Sequence, residues 1–227
     1  MKKKSIFNWA LLVCVLGLAL VCFMSIYNDI AFDNEKKARE ALVISKLMQV
    51  RDAQEKFRLS HGGQFCSDID SLIDWVKNEK AVDKVVKEGD LTDEQLEAGM
   101  TEKEAVAQGL IKRDTVYVAA YELLGITCPD SLKLIPVGKE GAVIEMATDS
   151  RYNTKSQEYD NLCEIRARLD DYMDGTDAKQ IKGLKNTLKE RGKNRVEFSD
   201  PEGETEWYGL RIGDLEDPNN KLAGNWE

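Results

Sequence analysis

The chain has a single histidine, His61, and that scarcity narrows its chemistry more than any motif does. A Cys-His or Ser-His pair would have to use it. It stands four residues before Phe65 at the expected end of a helix, where a cation suits the dipole, so it reads as a helix C-terminal residue rather than a base. Neither GxxxxGK[ST] nor GxGxxG occurs, which removes the usual phosphate-cradling loops, and no GxSxG elbow presents a serine. No cysteine has the CxxC spacing of a zinc or dithiol site. Calcium loops with alternating ligands and a glycine at the sixth place are missing too; Asp170 to Asp177 comes nearest and reads as a turn followed by a helix cap at Thr176 or Asp177. Enzymatic activity, a cofactor and a bound metal are therefore not expected.

Helix breakers are scarce as well. No glycine occurs between Gly17 and Gly62, and the first proline is Pro129. Nothing in residues 18–61 obliges a helix to stop. Val43, Leu47, Val50 and Phe57 fall at steps of four, three and seven, with Ala41, Ile44 and Met48 beside them, which makes one helical face. Lys46, Arg51, Asp52, Glu55 and Lys56 take the opposite side. A continuous helix over residues 6–61 would span roughly 84 Å at 1.5 Å per residue. Gly62-Gly63 then ends it, because glycine readily adopts the left-handed conformation that closes a helix.

Charge is absent from Ile6 to Tyr27, a run of membrane-spanning length that follows Lys2, Lys3 and Lys4. A cleavable signal peptide has a shorter apolar core and small residues at the cut. A lipoprotein would want a small residue before Cys14 or Cys22, where Val13 and Val21 stand. The segment reads as an uncleaved anchor with its amino terminus in the cytoplasm. Beyond the three lysines, 29 basic residues face 41 acidic ones, about −12, so nucleic acid and anionic lipid headgroups are unexpected partners. Cys14 and Cys22 belong to the apolar helix. Cys66, Cys128 and Cys163 are expected as reduced, buried thiols; if one disulfide forms, Cys66–Cys128 is the first choice.

A second, shorter helix is expected over Ser67 to Asn78, with Ser67 as cap and Asp70 as third helical residue. Residues 81–87 could be strand or helix. Capping-box spacing at Thr92–Gln95 and Thr101–Glu104 predicts helices over 92–98 and 101–108. Asp114 to Tyr121, Leu132 to Val137, Ala142 to Thr148, Cys163 to Leu169, Arg195 to Phe198 and Trp207 to Leu210 read as strands, and Asp177 to Arg191 as a late helix. The fold class is α+β, with a mainly antiparallel sheet in one head domain. The division is a basic segment at 1–5, a membrane helix at 6–27, an amphipathic stalk helix at 28–62 and a periplasmic head at 63–227.

The stretch from Met24 to Ile73, MSIYNDIAFDNEKKAREALVISKLMQVRDAQEKFRLSHGGQFCSDIDSLI, resembles type IV pilins and type II secretion pseudopilins after their apolar half. MKKKSIFNWALLV has neither the glycine of their processing site nor the glutamate five residues into their mature helix. KRDTVYVAAYELLG, SLKLIPVG and the ending YGLRIGDLEDPNNKLAGNWE resemble a family of single-span envelope proteins of Bacteroidota, which implies an inner-membrane protein facing the periplasm and no particular activity. The expectation is a membrane-anchored structural or interaction subunit, pilin-like in plan, that associates with itself or with other envelope proteins through its helix at Val43, Leu47, Val50 and Phe57. The alternative is an accessory module of a transenvelope machine that presents Trp207, Tyr208 and the Asn219-Asn220 turn to a partner. Trp207, Tyr208 and Trp226 otherwise read as closing a small core.

Overall fold

The computed structural model describes residues 2–88, 92, 99, 101–107, 112–153, 157–193, 195–196, 206–217 and 222–226. It is α+β. Helix α1 (Lys2–Ser60) runs unbroken through the apolar and amphipathic stretches. Then follow α2 (Ile69–Asn78), β1 (Lys80–Glu88), α3 (Glu102–Ala107), β2 (Lys112–Ala119), α4 (Ala120–Leu123) and a 3-10 turn at Pro129–Lys133. The remainder comprises β3 (Glu145–Asn153), β4 (Glu158–Arg168), α5 (Leu169–Tyr172), α6 (Ala178–Glu190), β5 (Arg195–Val196), β6 (Glu206–Trp207) and β7 (Gly209–Ile212). The strands form an antiparallel β1–β2 pair, a three-stranded sheet in the order β3-β4-β7, and a short β5–β6 pair. β3 and β4 pair without a slip from Glu145 opposite Arg166 to Asn153 opposite Glu158.

Two compact units divide the contacts. The first holds residues 1–45, 135–142 and 167–210; the second holds 46–134, 143–166 and 211–227. From Trp9 to Ile30 every side chain described on α1 is exposed, and this stretch is long and apolar enough to cross a bilayer. Farther along, the first unit grips the same helix. The Arg39 guanidinium donates to the carbonyls of Tyr172 (3.0 Å) and Asp174 (2.8 Å), and the Tyr172 hydroxyl donates to Glu40 (3.4 Å). Val43, Leu169, Tyr172, Met173 and Trp207 form its core. Gly138, at φ +90°, lets the 135–142 segment lie against α5; a Cβ there would stand 2.1 Å from the Asp171 carbonyl.

The second unit buries Leu47, Val50, Ala53 and Gln54 of α1 together with Leu72, Ile73 and Val76 of α2, Leu132, Ile144 and Ile165. The spacing that the sequence shows on α2 is the spacing that goes inside. Its cap is Asp68 rather than Ser67: the carboxylate accepts the Ser71 N–H at 2.9 Å. Lys77–Asp130 (2.5 Å) and Lys133–Asp70 (2.6 Å) join α2 to the 3-10 turn, but these pairs are exposed and add little beside the apolar burial. The capping box at Thr101 forms as expected, with Glu104 accepting the Thr101 N–H at 2.9 Å and the Thr101 hydroxyl accepting the Glu104 N–H at 3.4 Å.

The strand expected over Leu132 to Val137 is not one. Only Leu134 bridges, to Val143, and the residues before it form the 3-10 turn. Pro129 begins that turn, and Pro136 has no N–H to extend a ladder. The following strand starts later than expected, at Glu145 instead of Ala142. Residues 80–88, open between helix and strand in sequence, are β1, shifted in register between Val82 and Lys84. The helix expected over 92–98 lies outside the described residues.

Candidate functional site

Where α1 ends, the chain turns back and opens a cleft within the second unit. His61 N–H still bonds the Phe57 carbonyl at 3.0 Å, and Gly63 N–H reaches the Arg58 carbonyl at 2.9 Å, which closes the helix as a glycine cap. The imidazole Nδ1 sits 2.9 Å from the Phe57 carbonyl, and its ring stacks on Phe57 at 3.8 Å. His61 is thus spent on the helix end. The chain then passes along the start of β4, where the Asn161 amide donates to the Gly63 carbonyl at 3.0 Å.

Gln54 fixes this return. It is fully buried, and its carboxamide pairs with the backbone of Cys66 in both directions, accepting the N–H at 3.0 Å and donating to the C=O at 2.8 Å. A loop backbone that would otherwise be orphaned in the interior is satisfied by one side chain. Gln54 falls on the stripe of Val43, Leu47 and Val50, one further step of four. A polar residue in that register was the available sign.

The cleft beside it encloses about 260 Å³ between the end of α1, residues 63–65, the first half of β4 and the carboxyl-terminal tail. Phe65 forms one wall, with the Arg58 guanidinium 5.4 Å from its ring centre. Leu162, Leu222 and Cys163 line the interior; Glu55, Asp160 and Asp214 bring carboxylates. Tyr159, exposed, meets Tyr152 edge-to-face at 5.3 Å. A shallower hollow continues past Phe65 and Asn161 to Thr148, Asp149 and Ser150 of β3. The Cys163 thiol is the cleft's nucleophilic atom, and burial pushes its pKa up to about 12, so it stays protonated at neutral pH. An apolar floor with aromatic walls and a mixed-charge mouth suits reversible binding of a small or extended group.

Behind the cleft lies a buried carboxylate. Glu164, 2% exposed, stands 3.9 Å from Arg166 and 3.8 Å from Arg211, while Arg166 also pairs with Glu145 (2.8 Å) and Arg211 with Asp214 (2.9 Å). Two guanidiniums compensate one interior charge, which makes this a structural network rather than an open site.

The residues singled out in sequence are placed as follows. Val43, Leu47 and Val50 are fully buried by the chain itself, and Phe57 is half-buried against Trp75, edge-on at 5.4 Å. Trp207 and Tyr208 are buried in the first unit, where the Tyr208 hydroxyl donates to Glu206 at 2.6 Å and Lys185 lies 5.7 Å from the Tyr208 ring. Trp226 is half-buried in the other unit, so the three aromatics do not close one core. Asn219 and Asn220 lie outside the described residues. In the acidic run from Asp170 three carboxylates are engaged: Asp170 with Lys185 (2.7 Å), Asp171 with Lys139 (3.9 Å), and Asp177 capping α6 through the Lys179 N–H (2.8 Å). All five cysteines are free; Cys66 and Cys163 are buried, but Cys128 is exposed, contrary to the expectation of three buried thiols. No signal in the sequence gathers Arg58, Phe65, Tyr159 and Asp214 into one site, because nothing in their spacing joins a helix end, a strand start and the tail.

Comparison of the chain with protein-family models, with curated proteins and with solved structures finds no match. The likeness to pilins and pseudopilins gains no support there.

Proposed function

We infer that the protein is a membrane-anchored structural or interaction subunit whose α1 crosses the inner membrane and whose folded part stands in the periplasm, with Lys2, Lys3 and Lys4 held on the cytoplasmic side. The observation that carries this reading is the division of labour along one unbroken helix. Its exposed apolar residues are gathered from Trp9 to Ile30, while Val43, Leu47 and Val50 are enclosed by the rest of the chain. Self-association through the stalk stripe would need those residues outside. The pilin-like plan therefore narrows to association through the membrane half, where Gly17 and Ala19 offer small residues for close packing of helices.

The helix carries its own probes, because Cys14 and Cys22 are both exposed. Oxidative crosslinking in native membranes, with single cysteines moved through positions 11–24, is expected to trap homodimers with a helical period. Dimers at no position would defeat self-association through this segment. A second reading is an accessory module that binds a partner of an envelope machine, favoured by the cleft at Phe65 and Arg58. Phe65→Ala should then release a partner that co-purifies with the parent protein while leaving crosslinking at 11–24 unchanged.

A further inference from the structure

We propose that the first turn of α6 rests on the phospholipid headgroups, with the Lys179 and Lys182 ammonium groups on lipid phosphates. This rests on the reading that residues 6–27 span the bilayer. The chain leaves α5 where Arg39 holds the Tyr172 and Asp174 carbonyls, and it comes down along α1 until the Gln180 amide donates to the Asp29 carboxylate at 3.4 Å. Arg39 to Asp29 is ten residues, about 15 Å of helix. Asp29 is only two residues past Tyr27, the last residue of the uncharged run, or about 3 Å along the axis. The headgroup layer is about 5–7 Å deep on each side of a hydrocarbon core of about 30 Å. A side chain bonded to Asp29 lies within that layer, and the helical turn carrying it cannot stand far above.

The charge on α6 is distributed accordingly. Lys185 turns to Asp170 (2.7 Å) and Lys189 to Glu206 (2.5 Å), both carboxylates of the same unit. Lys179 and Lys182, in the first two turns, are exposed and make no ion pair among the described residues. The Asp177 carboxylate at this end accepts the Lys179 N–H, so it caps the helix. From Ala178 to Lys193 there are six basic residues and one acidic, Glu190, in a chain whose net charge is −9. Net charge alone argued against anionic headgroups; the local distribution argues for them. Long lysine stems let an ammonium reach a phosphate while the backbone stays above the interface, and an anionic surface draws such cations toward it.

The test uses the full chain in nanodiscs containing anionic phospholipid, with Cys14, Cys22 and Cys128 changed to serine and an environment-sensitive dye on Ala178→Cys. Quenching by lipids carrying a headgroup nitroxide is compared with the same dye on Asn28→Cys, and a dye on Leu16→Cys is read against an acyl-chain nitroxide. The Ala178 dye is expected to be quenched within about twofold of the Asn28 dye, and Lys179→Glu with Lys182→Glu to reduce its quenching by about threefold or more. An Ala178 dye open to aqueous iodide and untouched by the headgroup nitroxide, with the Leu16 dye still quenched, would overturn the headgroup contact and leave the anchor standing. A dye shielded from both quenchers would mean protein covers the turn, which overturns it as well. An unquenched Leu16 dye would remove the anchor and this inference together.

Discussion

Gln54 shows how much one residue can hold. Its carboxamide supplies both hydrogen-bond partners of the Cys66 backbone inside the protein. Truncation to alanine leaves an N–H and a C=O without partners and opens a small void, for which a loss of about 2–4 kcal/mol is expected. Urea unfolding of Gln54→Ala in detergent measures it. A change below about 0.5 kcal/mol would mean that water satisfies the loop in its place. The stripe at Val43, Leu47 and Val50 was legible because period alone marks it. The partners of Gln54 were not, since Cys66 and Met146 lie 12 and 92 residues away and carry no local signature. Cys163 was expected as a reduced, buried thiol and is one: raised to about 12, it favours the fold below its ordinary range, and that contribution fades as pH climbs through the folded value.

Elements were read best where one rule acted alone. Helix α1 needed only the absence of breakers, α6 its apolar period, and α3 its capping box. Strands fared worse near 132–148, where apolar content was right but Pro136 withheld the donor that a ladder needs. On α2 the competition was between neighbouring caps, and Asp68 won over Ser67 because its carboxylate reaches both the N–H and the hydroxyl of Ser71. Those bonds, the backbone one first, hold the Asp68 carboxyl below its usual range. Its stabilising effect is present above that range and is lost as pH falls through the folded value. Asp68→Ala should therefore cost about 1 kcal/mol at neutral pH, with parent and variant converging in acid. Unfolding curves at pH 7 and pH 3 test it; a gap that does not narrow would show the cap acting through something other than its charge.

At the scale of the molecule, the apolar surface is sorted by position along α1. Exposed large apolar residues crowd between Trp9 and Ile30, and beyond them only Leu42 and Leu59 remain exposed on the helix. Single exposed leucines are ordinary on a water-facing surface. A chain beginning at Asn28 is thus expected to stay in the supernatant without detergent, with near-native circular dichroism apart from the missing helix. Sedimentation of this shortened chain into the pellet would reveal a second greasy face. The α+β class and the long opening helix could be read from sequence. The two-unit arrangement could not, because segments 135–142 and 167–210 join the first 45 residues by contacts that no local pattern announces.

The clasp between Arg39 and the Tyr172–Asp174 carbonyls joins residues 133 and 135 positions apart in the chain. Until the ribosome has delivered that late stretch, Val43 lacks Leu169, Tyr172 and Met173, the residues it is buried with in the first unit. Any delay in translation between the two segments lengthens the time for which that apolar side chain stays uncovered.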